Sequence, residues 1–129
     1  MDDPFVTTIQ VRFKDIDAMD HVNSAVYFTY LEQARAAFYD EVIGERLDHV
    51  DTVIVSQELT YHAPVELGAE VRVELTIDGM GESSLPMSYE VYGDGELAAT
   101  GESVQVAYDR EAGTSTPIPE VWRERIESY

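Results

Sequence analysis

An α+β fold, one antiparallel sheet whose apolar face is covered by a single long helix, is predicted by three features of the sequence. Apolar residues recur every three or four positions from Tyr27 to Val42, five segments alternate apolar with polar residues, and the later segments are joined by short turns. A sheet with one apolar face needs a cover, and the long helix supplies it. The 129 residues, 44% of them hydrophobic, suit one domain, 1–129, with one continuous core.

The elements follow in order. Ile9, Val11 and Phe13 alternate with Gln10, Arg12 and Lys14, the pattern of a half-buried strand that runs into the polar stretch FKDIDAMDHVNSAVY. Beyond Asn23, the stripe Tyr27, Tyr30, Leu31, Ala34, Ala37, Phe38 and Val42 predicts an amphipathic helix of about five turns. Asn23 or Ser24 would cap it and Gly44 would stop it, while Glu32 and Arg35 are spaced to pair on its polar side. Four strand segments then follow: DTVIVSQELTYH, EVRVELTIDGM, SLPMSYEVYGDG and ELAATGESVQVAYD. Between the last two, Asp94-Gly95 offers the positive φ angles of a tight hairpin. A short helix is expected after Pro117 and Pro119.

Charge narrows the function classes. With 26 acids against 8 bases the formal net charge is −18, a surface of the kind that tolerates and needs high salt, as in a halophile. No basic stripe offers itself to nucleic acid. No run approaches the roughly 20 apolar residues of a membrane span, and the acidic start MDDPFVTTIQ does not read as a secretory signal, so a soluble cytoplasmic protein without a membrane partner is expected. The absence of cysteine removes thiolate nucleophiles and thiolate metal sites. The histidines at 21, 49 and 62 lack ligand spacing, and no G-x-S-x-G elbow or phosphate loop occurs.

The stretch before the helix carries the chemistry. Asp15, Asp17 and Asp20 lie just upstream of a helix N-terminus, where backbone N–H groups lack intrahelical acceptors and the dipole favours developing negative charge. A carboxylate beside such donors could attack a carbonyl carbon or activate water, with the N–H groups stabilising an oxyanion.

The order of elements, together with RFKDIDAMDHVNSAVYFTYLEQAR, YHAPVELGAEV, GMGESS and TPIPE, resembles the hotdog-fold thioesterases of the 4-hydroxybenzoyl-CoA thioesterase type. The resemblance implies an antiparallel sheet wrapped around the central helix, a homodimer joined edge to edge or a homotetramer of such dimers, and acyl-CoA bound between subunits. It places the catalytic carboxylate at Asp17, the oxyanion donor at the backbone N–H of Ser24, and ordering roles at His21 and Asn23. Ser83 and Ser84 would lie beside the substrate, and Tyr27 would line the acyl group or fill the core. No metal or redox cofactor is implied, coenzyme A being part of the substrate. Direct attack by Asp17 and activation of water both remain open. Asp20 stands where the family often has glycine, which would give the turn another shape, and GTSTPIP lacks the bases with which relatives hold the nucleotide phosphates; Arg110 is the nearest. Two other activities fit the same fold, an acyl-thioester hydratase or dehydratase and a non-catalytic acyl-binding module, and an acyl carrier protein could replace CoA.

Overall fold

The computed structural model describes residues 1–44 and 50–129; His49 falls outside them. Its elements are β1 (Phe5–Gln10), a 3-10 turn (Phe13–Asp15), α1 (Val26–Phe38), β2 (Val50–Tyr61), β3 (Glu70–Ile77), β4 (Ser84–Gly93), β5 (Glu96–Asp109), β6 (Thr114–Ser115) and α2 (Glu120–Ser128). The strands form one curled antiparallel sheet in the order β1-β3-β4-β5-β2, with β6 pairing the end of β5. Among the described residues no helix is long and apolar enough to cross a membrane.

Alternation works as the sequence suggests in β3 and β4. Val71, Val73, Leu75 and Ile77 point inward with Leu85, Met87, Tyr89 and Val91, and all are buried. Against them α1 lays Tyr27, Tyr30, Leu31, Ala34 and Phe38, and α2 adds Trp122 and Ile126. The helical segment is α-helical for 13 residues and then winds as a π-helix through Tyr39–Ile43, ending at Gly44 with φ 67°. The β4–β5 hairpin turns on Asp94 (φ 48°) and Gly95 (φ 82°), the paired positive angles of a two-residue turn. Gly93 is needed for another reason: a Cβ there would lie 2.9 Å from Val65, whose segment packs across the end of the sheet.

Two expectations fail, each for a tertiary reason. The first strand stops at Gln10, and Phe13, expected on its inner face, is 84% exposed. The Asp15 carboxylate accepts a hydrogen bond from the Arg12 backbone N–H (2.9 Å) and folds the chain into the 3-10 turn, which rotates Phe13 outward. Arg35 does not pair with Glu32. It lies one turn after Leu31 on the buried stripe, donates to the Tyr89 hydroxyl (3.1 Å) and sits 5.9 Å from the centre of that ring. Tyr89 shares a 2.6 Å hydrogen bond with Ser103, and Gln105, bonded to the Met87 sulfur, accepts from Tyr39. Burial pushes the Tyr39 hydroxyl up to about 12, which keeps it a donor in this network.

The outer face of the sheet sets like charges together. Glu58 stands directly opposite Glu102, and Glu74 opposite Glu90. Screening should therefore stabilise the fold: the urea midpoint is expected to rise from about 0.1 M to about 1 M KCl, as the Debye length falls from roughly 10 to 3 Å. Glu102→Gln should raise the midpoint at low salt and flatten this dependence, as denaturant titrations at both salt concentrations would read.

Candidate active site

The segment between β1 and α1 forms a small closed hairpin. Ile16 and Val22 bridge its arms, Asp17 N–H donates to the His21 carbonyl (2.8 Å), and Asn23 N–H donates to the Asp15 carbonyl (2.8 Å). Outside it, Val22 N–H binds the Val65 carbonyl (2.8 Å) and His21 bridges Glu66, so the 61–69 segment holds the hairpin from behind. Buried Asp15 anchors it to the helix: its carboxylate accepts from the Tyr30 hydroxyl (2.9 Å) as well as from the Arg12 guanidinium (3.0 Å). Burial alone would raise the Asp15 pKa, but the hydrogen bonds from Arg12 and Tyr30 and the Arg12 charge outweigh it and hold the carboxyl below its ordinary value. Burial and the Asp15 carboxylate push Tyr30 up.

Asp17 is half-buried at the hairpin's turn. Its Oδ1 accepts from the backbone N–H of Met19 (2.8 Å) and, at 3.4 Å, of His21. Its Oδ2 has no hydrogen-bond partner among the described residues. The side chain thus does two things: one oxygen shapes the turn and the other stays available for chemistry. Asp20 adopts φ 63°, so the turn holds a left-handed residue that is not glycine. Asp20→Gly is expected to raise stability by about 1 kcal/mol, measured as a shifted denaturation midpoint with unchanged slope.

Neither Asn23 nor Ser24 is the helix cap expected: the cap position falls on Ala25, which has no side-chain cap bond, and the Asn23 Oδ1 instead accepts from Ala25 N–H (2.9 Å) in the turn that leads into Val26. Ser24 lies between Asn23 and the cap residue Ala25, exposed, with a backbone N–H that has no acceptor among the described residues. The Ser24 carbonyl is fixed by the Tyr61 hydroxyl (2.6 Å), and Tyr61 meets Tyr27 edge to face with ring centres 5.0 Å apart. Tyr27 itself is buried, and burial raises its pKa. Tyr61 went unnoticed in the sequence because its role is a contact between strand and helix, which spacing does not encode.

The candidate residues fall into two groups. Asp17, His21, Asn23, Ser24 and Tyr27 gather at the hairpin end of the sheet. Ser84 begins β4, with Ser83 just before it, nine residues from Gly93 at that end, or roughly 30 Å along the strand. There Gly81 N–H donates to the Ser84 carbonyl, and Arg123 donates to the Gly81 carbonyl (2.8 Å). Among the described residues no three His, Asp or Glu side chains are grouped to hold a metal ion.

Known proteins agree with this architecture. The chain is similar to a thioesterase from Thermus thermophilus, solved in complex with coenzyme A and zinc, at 36% identity and a TM-score of 0.84, covering 99% of this chain and 96% of that one. A 1,4-dihydroxy-2-naphthoyl-CoA thioesterase from Synechocystis, only 19% identical, shares the fold at a TM-score of 0.82 over 95% of both chains. The uncharacterized protein YsmA of Bacillus subtilis (strain 168) is 29% identical over 111 residues, 84% of this chain and 76% of its own length. With residues 11–126 matching the family, the curled sheet, its two helices and the hairpin before α1 place the chain in the thioesterase-like superfamily, to which it belongs.

Proposed function

We propose that the protein hydrolyses acyl-CoA thioesters to a carboxylic acid and free CoA, as a hotdog-fold enzyme of the 4-hydroxybenzoyl-CoA thioesterase type, with Asp17 as the catalytic carboxylate. The observation that carries this reading is an Asp17 oxygen without a partner at the turn of the hydrogen-bonded hairpin, and a Ser24 N–H without one just past its second arm, among the described residues. Either Oδ2 attacks the carbonyl carbon, expelling CoA thiolate and leaving a mixed anhydride that water then hydrolyses, or it takes a proton from a water that attacks the same carbon and expels the thiolate; in both routes Ser24 N–H donates to the carbonyl oxygen as it gains charge. Asn23 and His21 hold the arms that carry them. A carboxylate and backbone donors suffice, so the reaction needs neither metal nor redox cofactor.

The complete site belongs to a homodimer. β2 is an edge strand with Val53, Ile54 and Val55 exposed, and an antiparallel pairing of two such edges about Val55 would bring the Gly79–Ser84 end of a second copy to the Asp17 end of the first. That unites the two groups of candidate residues, with Ser83 and Ser84 beside the substrate. The test is a thiol-release screen at about 1 M KCl over acyl-CoAs with short, long and aromatic acyl groups. At least one should be turned over; ligand binding without thiol release across the whole panel would reduce the protein to an acyl-binding module.

A further inference from the structure

The side chains of Phe13 and Lys14 are exposed and take no part in the core. Among the described residues Phe13 is the most exposed of the large apolar side chains, at 84%, and Met19, 74% exposed, projects from the turn of the same hairpin. Lys14, the only lysine of the chain, is exposed and has no hydrogen bond or ion pair with any described residue. The other described bases are all engaged. Arg12 binds Asp15, Arg35 binds Tyr89, Arg72 binds Glu74, Arg123 and Arg125 donate to the carbonyls of Gly81 and Ile43, and Arg110 has a partner. On a protein of net charge −18, the sequence Arg12-Phe13-Lys14 therefore sets one unneutralised cation, a half-exposed guanidinium and a bare aromatic ring side by side. They stand three residues before Asp17. The asymmetry has a local cause, because the Asp15 turn that ends β1 also throws these side chains outward.

Resting on the thioesterase reading above, we propose that Phe13 and Lys14 are the handle by which this chain grips the nucleotide end of CoA. The Lys14 ammonium, aided by the open side of Arg12, receives a phosphate, and Phe13 offers its face to the adenine. CoA is polyanionic and would otherwise meet repulsion from Asp17, Asp20 and the acidic surface, so a local cation sets the side on which the nucleotide lies. This also accounts for the missing bases in GTSTPIP: the grip has moved to the hairpin.

The test compares one acyl group carried on CoA and on pantetheine, which lacks the nucleotide. For Lys14→Glu and Phe13→Ser, the preference in kcat/KM for acyl-CoA over acyl-pantetheine should fall about tenfold, a loss of about 1.4 kcal/mol of discrimination, with Lys14→Arg restoring it. Equal effects on both substrates, or none, would overturn the handle. Should the native enzyme release no thiol from either, the thioesterase reading fails instead, and calorimetry with adenosine 3′,5′-bisphosphate still decides: binding weakened by Lys14→Glu supports the handle, and binding of unchanged strength removes it.

Discussion

Asp17→Asn is expected to lower turnover of the best acyl-CoA at least 100-fold while leaving the fold intact, the scale of a positioned acid-base group. The substitution separates the two tasks of this side chain. An asparagine Oδ1 can still accept from Met19 N–H, so the turn survives, but Asn has neither the charge to attack a carbonyl nor the basicity to take a proton from water. Unchanged thermal unfolding with lost thiol release is the predicted result. Near-native turnover would assign Asp17 to the turn alone. Ser24→Ala makes the complementary case: the proposed donor is the main chain, and turnover should stay within a few-fold of the native enzyme.

Asp15→Ala should have the largest effect on stability, about 3 kcal/mol, because it removes a buried carboxylate and leaves the buried Tyr30 hydroxyl and the Arg12 backbone N–H without their acceptor. The sign of its pH dependence follows from the lowered pKa. A carboxyl depressed on folding contributes stability that is fully present above its ordinary value, 3.8, and is lost as pH falls through the lower folded value. Below that window the native protein and Asp15→Ala should converge in stability. Denaturant titrations from pH 7 down to about pH 2 in molar KCl would read both effects; a constant gap between the two proteins at every pH would remove the carboxylate from the account.

What could be read in the sequence was what local chemistry decides. The bounds of β5 and the Asp94-Gly95 hairpin follow from alternation and φ preference, and the crowding of Asp17, His21, Asn23 and Ser24 follows from their nearness in the chain. Phe13 and Arg35 were misplaced because their environments are set across the fold, by a side chain that interrupts a strand and by a tyrosine 54 residues away. The separation of Ser84 from Asp17 was equally hidden, since neither motif says at which end of a strand it lies. The π-helical turn after Phe38 and the two-residue β6 lie below the resolution of any periodicity.

The register slip between Ile54 and Ser56 falls in the middle of the chain's most exposed edge. An irregular, twisted border is a poor template for the straight stacking that builds fibres, yet it can match its own image across a two-fold axis. The same irregularity thereby discourages open-ended polymerisation, which matters for a molecule that keeps the three β-branched side chains of Val53, Ile54 and Val55 in water.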